Sequence, residues 1–222
     1  RQPFTLQSIS KPLTYGLALA DLGEAAVRAR IGVEPTGDAF NAIALSPGRG
    51  IPLNPMVNAG AIAAAGLIGP TMEHAAFDRI QAAYGDWSGR PLEVDEAVYR
   101  SERDTGHRNR AIAHLLRSTG ALEGDPDAAV DRYFRQCSVL VDARDLALIG
   151  ATLAAGGRHP LTGVRQKAIL SKFCAPLVSQ PFSPKSALPW QASRTASENG
   201  RSCAPLTTRR FSAAALSVSY LA

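Results

Sequence analysis

Apolar residues recur at helical spacing along most of this chain. Leu13, Leu17, Leu19 and Leu22 fit one face of a helix, and Gly23 is a residue that can end it. Similar patterns predict further helices over residues 56–69, 72–85, 94–120, 125–139 and 142–157, with the long 94–120 segment broken into two helices near Gly106.

Glycine and proline mark residues 32–41 and 45–55 as loops between these helices. Alternating apolar and polar positions, which would indicate half-buried strands, are scarce. The pattern therefore predicts a mainly helical chain up to about Ile169.

The last fifty residues have a different composition. Residues 173–222 contain nine serines, against eight in residues 1–172, and Glu198 is their only acidic residue. They show neither a helical nor a strand period. We therefore expect two parts, a folded body over residues 1–172 and a divergent, poorly ordered tail over residues 173–222.

Composition narrows the class of protein. The 222 residues suffice for one domain or two small ones, and no apolar run is long enough to cross a bilayer. Cys137, Cys174 and Cys203 are too few and too scattered for a disulfide framework or a zinc site, so a reducing, cytoplasmic location is expected. The net charge of +5 includes +4 from the tail, and the near-neutral body does not indicate a nucleic-acid partner.

One short motif suggests chemistry. Ser8 and Lys11 form the only Ser-x-x-Lys in the chain and precede the first predicted helix. On a helix this spacing places both side chains on one face, where a neutral amine can accept the serine proton. Backbone N–H groups at a helix start can also stabilise an oxyanion. The alternative is a serine that caps the helix beside a solvated lysine.

Several longer blocks, in order, resemble the serine-dependent glutaminases. They are FTLQSISKPLTYGLALADLG, IGVEPTGDAFN, NPMVNAGAIAAAGLI, SERDTGHRNRAIAHLL, DRYFRQCSV and LAAGGRHPLTG, and they extend from Phe4 to about Leu170. The resemblance implies hydrolysis of L-glutamine to L-glutamate and ammonia through an acyl-enzyme. It implies the α/β fold of serine β-lactamases and transpeptidases, and it implies no metal or organic cofactor.

The resemblance also assigns roles to single residues. Ser8 matches the nucleophile and Lys11 its activating lysine, while the positions that contact the substrate are Ser8, Asn58, Glu102, Asn109 and Tyr133. These types suit free glutamine, since a carboxylate can bind its ammonium and amide N–H groups can bind its carboxylate. Taken singly, Glu102 could equally be a surface ion pair, Asn109 a surface residue and Tyr133 a core residue.

The chain also departs from the family pattern. Family members have sheet strands and a tyrosine before the nucleophile, and a Lys-Ser-Gly block with further strands towards their C-terminus. Only seven residues precede Ser8 here, and Lys185-Ser186 has the wrong flanking sequence. We therefore expect a fragment that is mostly α because the sheet-forming ends are missing, with a tail that is divergent or frameshifted, and with impaired activity.

Two other functions stay open at this point. Another Ser-x-x-Lys hydrolase, such as a β-lactamase-like protein, would share the motif, although no Ser-Asp-Asn or Lys-Thr-Gly supports it. A catalytically inactive helical interaction module is the alternative from a different class. By analogy with the family we expect a homo-oligomer, a tetramer, acting on L-glutamine and binding neither nucleic acid nor membrane.

Overall fold

Eight helices and two short strands make up the part of the chain that this computed structural model describes, residues 2–36, 39, 41–43, 45–69 and 73–165, with the backbone alone for 73–75. In chain order they are β1 (Phe4–Thr5), a 3-10 turn (Gln7–Ile9), α1 (Ser10–Leu22), α2 (Glu24–Arg28), α3 (Asn58–Leu67), α4 (Glu73–Ser88), α5 (Glu96–Thr105), α6 (His107–Ser118), α7 (Pro126–Cys137), β2 (Leu140–Val141) and α8 (Ala143–Ala154).

Helix α3 lies at the centre of the core. Its residues from Asn58 to Gly66 are all buried, and it packs against α1, α6 and α7. This helix consists mostly of alanine and glycine, so neighbouring backbones can approach it closely. A Cβ added at Gly60 would lie 2.0 Å from the Asn54 carbonyl oxygen. The structure thus confirms the helix predicted over residues 56–69, and the small side chains of this segment explain why it can lie at the centre of the core.

Local sequence signals set several helix ends. At Gly23 the backbone has φ 80°, and its N–H donates to the Leu19 carbonyl, which ends α1 as predicted. Asp142 begins α8 with a capping box in which the Asp145 carboxylate accepts from the Asp142 N–H.

The predicted break near Gly106 is confirmed, and packing explains why glycine occupies it. Gly106 separates α5 from α6. A Cβ at this position would lie 2.2 Å from the ring of Phe134 on α7. The junction of α5 and α6 can therefore lie against Phe134 because Gly106 has no side chain.

The two strands pair far apart in sequence. β1 and β2 are antiparallel, with Phe4 opposite Val141 and Thr5 opposite Leu140. The Leu6 N–H continues the ladder to the Val139 carbonyl at 2.9 Å. This pairing fixes the chain on the N-terminal side of Ser8 against the end of α7. Within the described residues, none of the helices has the length and apolar character needed to cross a membrane.

Candidate active site

Ser8 lies at the tip of a short exposed turn. Leu6 and Ser10 are fully buried, whereas Gln7, Ser8 and Ile9 between them are exposed. The turn is a 3-10 helix that leads directly into α1. Gln7, just before Ser8, has φ 48°, a left-handed conformation that is uncommon for a residue other than glycine. Its carbonyl accepts a hydrogen bond of 2.6 Å from the buried Ser10 hydroxyl.

Lys11 is buried one helical turn after Ser8, with 2% of its surface exposed. Its Nζ donates to the Met56 carbonyl at 3.1 Å and to Asn58 Oδ1 at 2.8 Å. Burial lowers the pKa of Lys11 because the charged form loses solvation, and the nearby Cys137 offsets part of this effect. A neutral amine can use its two hydrogens in these contacts and retain a lone pair that can accept a proton.

Lys11 also determines the orientation of two amide side chains. Lys11 Nζ and the Tyr133 hydroxyl both donate to Asn58 Oδ1, at 2.8 Å and 3.3 Å. Asn58 Nδ2 therefore points to Asn109, where it donates to Oδ1 at 3.0 Å. Asn109 accepts this bond through its oxygen, so its own amide N–H groups are not engaged by Asn58.

Glu102 is a half-buried carboxylate close to these residues. Burial raises its pKa, and its negative charge is felt at both Tyr133 and Cys137. None of the ion pairs within residues 73–165 includes Glu102, and of the neighbouring arginines Arg103 pairs with Asp104 and Arg100 donates to the Glu96 carbonyl. The geometry therefore differs from that of a surface ion pair.

The structure brings five of the six predicted site residues into one region. Hydrogen bonds join Lys11, Asn58, Asn109 and Tyr133, and electrostatics relates Glu102 to Tyr133. Ser8 is related to this group by helix spacing, one turn before Lys11. Tyr133 is 4% exposed, and burial raises its pKa. The catalytic roles of all six residues remain predictions.

The sequence reasoning missed a second set of buried polar residues next to the site. Ser10, Thr14, Tyr84 and Gln136 are each 0% exposed and are hydrogen bonded to one another. Cys137 lies beside them, with Sγ 3.8 Å from Ser10 Oγ, and burial raises its pKa to about 12. Ser10 and Thr14, four residues apart on the buried face of α1, are the signal that could have revealed this set.

Metal ligands are a separate question. Across the described ranges, no three His, Cys, Asp or Glu side chains are grouped so that they could hold a metal ion. His159 is buried, but its Nδ1 accepts from the backbone N–H groups of Leu161 and Thr162.

The described residues thus combine an exposed serine, a buried lysine one turn later and two amide side chains bonded in sequence to that lysine, which is the arrangement expected of a Ser-x-x-Lys protein. Comparison with known proteins narrows the class. The description "Glutaminase" belongs to the family profile that matches residues 1–178. The chain therefore belongs to the glutaminase family.

Similar proteins support this membership. Glutaminase 2 of Bradyrhizobium diazoefficiens is 54% identical over 163 residues, which are 73% of this chain and 26% of that protein. The glutaminase of Nostoc sp. is 46% identical over 179 residues, covering 81% of this chain and 53% of that protein. The solved structure of the probable glutaminase ybaS matches with a TM-score of 0.75 at 43% identity, covering 80% of this chain and 58% of that one.

These structural neighbours have the serine β-lactamase-like fold, and the described part of this chain is mostly helical with a short sheet, as predicted. The chain spans between about a quarter and a half of the length of the two curated relatives named above. Lys185-Ser186 and the tail over residues 173–222 lie outside the described residues.

Proposed function

We propose that this chain carries the nucleophile and much of the substrate site of an enzyme that hydrolyses L-glutamine to L-glutamate and ammonia. The observation that carries the proposal is the position of Lys11. A buried amine with a lowered pKa follows the exposed Ser8 by one turn and contacts Asn58 directly. Membership of the glutaminase family and the names of its bacterial relatives support the same reaction.

The reaction proceeds in two halves. Neutral Lys11 accepts the Ser8 hydroxyl proton while Ser8 Oγ attacks the side-chain amide carbon of glutamine. The tetrahedral intermediate collapses, the proton passes to the amide nitrogen, and ammonia leaves an ester on Ser8. Water then attacks this ester, gives its proton to Lys11, and releases glutamate as the proton returns to Ser8.

Substrate binding uses the polar groups around Lys11. Glu102 pairs with the α-ammonium of glutamine, which is favoured because both charges would otherwise be poorly solvated. The amide N–H groups of Asn109, whose oxygen is taken by Asn58, and the remaining N–H of Asn58 bind the α-carboxylate. Tyr133 holds Asn58 Oδ1 and contributes its hydroxyl to the wall of the pocket. A site of this polarity disfavours amino acids that lack these charged groups.

The test is a chimera, because the chain covers 58% of the solved ybaS glutaminase. Residues 4–165 of this protein replace the matching segment of that enzyme, and glutamate production is measured. We expect glutamine-dependent turnover that vanishes in Ser8→Ala and persists in Ser118→Ala, an exposed serine of α6. Turnover that survives Ser8→Ala would remove Ser8 from the nucleophile role and contradict the proposal.

We also infer the domain organisation and the setting of the enzyme. The family profile ends at residue 178, close to the proposed boundary of the body at residue 172. A homotetramer is proposed by analogy with the family, and a cytoplasmic location from the cysteine content. Limited proteolysis, sedimentation and cell fractionation test these three points respectively.

A further inference from the structure

Four buried side chains connect three helices directly beneath the turn that presents Ser8. Ser10 and Thr14 belong to α1, Tyr84 to α4 and Gln136 to α7. Each is 0% exposed. Polar groups in such a position are costly unless every one of them finds a hydrogen-bond partner.

The bonds between them form a single chain with one consistent direction. The Thr14 hydroxyl donates to Gln136 Oε1 at 2.7 Å, and Gln136 Nε2 donates to Ser10 Oγ at 3.2 Å. The Ser10 hydroxyl in turn donates to the Gln7 carbonyl at 2.6 Å. Tyr84 starts the chain, since its hydroxyl lies 2.6 Å from Thr14 Oγ1 and 3.0 Å from the Ser10 carbonyl and shares its hydrogen between them.

The last acceptor of this chain of bonds is the residue before Ser8. Gln7 has the left-handed φ of 48°, a conformation that persists only where the surroundings hold it. Because the peptide bond is planar and trans, the Gln7 carbonyl and the Ser8 N–H point in opposite directions. The Ser10 hydroxyl and the Ser10 backbone N–H both donate to the Gln7 carbonyl, and a carbonyl held inward in this way directs the Ser8 N–H away from the core.

We propose that Tyr84, Thr14, Gln136 and Ser10 are positioning residues that hold the turn at Gln7 and thereby aim Ser8. They act through the backbone and not by contact with the reacting atoms. This proposal rests on the proposed function, since it takes Ser8 as the nucleophile. It adds that the reactivity of Ser8 depends on a bonded chain that begins on α4 and passes through α7.

The experiment uses the 222-residue protein and a fluorophosphonate probe, which a reactive serine attacks at phosphorus with loss of fluoride. The rate of labelling at Ser8 is followed by mass spectrometry, with and without glutamine as a competitor. We expect Ser10→Ala to slow labelling by about 10- to 100-fold, since a displacement near 1 Å can cost about 100-fold. The glutamine concentration that gives half protection should stay unchanged, because Asn58, Glu102 and Asn109 keep their places.

Ser138→Ala is the matched control. Ser138 is also 0% exposed, and its hydroxyl also donates to a backbone carbonyl, that of Phe134 at 2.9 Å, but it lies outside the chain of bonds. We expect it to label within about threefold of the parent protein. Thr14→Val should label slowly, and Thr14→Ser, which restores a hydroxyl, should recover the rate. Tyr84→Phe provides an independent variant if Ser10→Ala does not fold.

The outcomes separate this proposal from the proposed function. Labelling of Ser8 that glutamine does not slow would contradict the proposed glutamine site, while the variant rates would still decide the positioning role. Equal labelling in Ser10→Ala, Thr14→Val and the parent protein would overturn the positioning role. A parent protein whose Ser8 does not label at all would overturn it as well, because the turn would then present no reactive serine.

Discussion

Lys11 is an amine held where its charged form is poorly solvated. Burial lowers its pKa from the ordinary value of 10.5, so the neutral form that can accept a proton is populated at a lower pH than for a lysine in water. The folded site gains its base as pH rises through this lowered pKa and loses it as pH falls below.

We therefore predict that kcat/KM for glutamine in the chimera rises with pH, with a midpoint below 10.5. Lys11→Arg keeps the donors but stays charged at every accessible pH. It should lower kcat by about 100-fold or more, the usual range for losing a general base. A rate that does not change between pH 6 and pH 10, or an active Lys11→Arg variant, would contradict the assignment of Lys11 as the base.

Glu102 presents the opposite electrostatic situation, a carboxylate whose pKa burial raises. Only its ionised form can pair with the substrate ammonium. We therefore predict that the KM for glutamine increases as pH falls through this raised pKa.

Glu102→Gln should raise KM by about 10- to 100-fold at neutral pH, because a hydrogen bond to a charged group contributes about 1.5–3 kcal/mol. The acid-side rise in KM should vanish with it. Glu96→Gln is the control, since Glu96 is an exposed residue in the first turn of the same helix. A KM that is equal in both variants would mean that Glu102 does not bind the substrate.

The residues of the candidate site could be predicted only where helix spacing or the resemblance to the family blocks indicated them. The spacing of Ser8 and Lys11 indicates their relation directly, because it is set by one turn of helix. The orientation of Asn58 and Asn109 depends on Lys11 Nζ, 47 positions before Asn58, and on Tyr133, 75 positions after it. Gln136 is bonded to Ser10 across 126 positions. No sequence pattern encodes a contact of this kind.

At the scale of elements, α3 shows how a small side chain can decide the position of a helix. Gly60 lies two residues after Asn58 on α3, and an added Cβ there would meet the Asn54 carbonyl oxygen at 2.0 Å and the Pro55 Cα at 2.8 Å. Both are backbone atoms, which cannot rotate away as a flexible side chain could. Any larger residue must move α3 or the segment before it.

We predict that Gly60→Ala lowers the free energy of unfolding by about 1–3 kcal/mol, the usual cost of overpacking. In the chimera it should also lower the turnover of glutamine, because it displaces Asn58. Gly150→Ala is the matched control. It lies inside α8, is exposed and has no atom within 4 Å of the added Cβ, so it should raise stability by about 0.5–1 kcal/mol. Denaturant unfolding measures both. Equal effects of the two substitutions would contradict the close packing of α3.

The longer helices were predictable because each carries its own period and caps, as α1 and α8 show. The strands were not. β1 and β2 have two residues each, and their pairing joins Phe4 to Val141, so neither has enough length to show alternation. The five-residue α2 was missed for the same reason. Short elements are stabilised by tertiary contacts rather than by local preference.

At the scale of the whole molecule, two of the exposed large apolar side chains lie close to the Ser8 turn. Phe4 is 40% exposed and Ile9 is 41% exposed, on either side of Ser8. In the described residues the sheet consists of β1 and β2 alone. The solved ybaS glutaminase is covered to 58% by this chain, so much of that enzyme has no counterpart in the match. The described residues thus supply mainly helices, and apolar groups beside Ser8 face solvent.

We therefore predict that the 222-residue polypeptide, expressed by itself, turns over glutamine at least about 100-fold more slowly than the chimera. The resemblance to the family places a second oxyanion donor after a Lys-Ser-Gly block, and the loss of one such donor typically costs about 100- to 1000-fold in kcat. The measurement compares kcat of the polypeptide and the chimera, each beside its Ser8→Ala variant, together with binding of a dye that fluoresces on exposed apolar surface.

Dye binding should be stronger for the polypeptide, because Phe4 and Ile9 remain uncovered there. Equal kcat values would show that residues outside the described ranges complete the site, and would contradict the expected impairment.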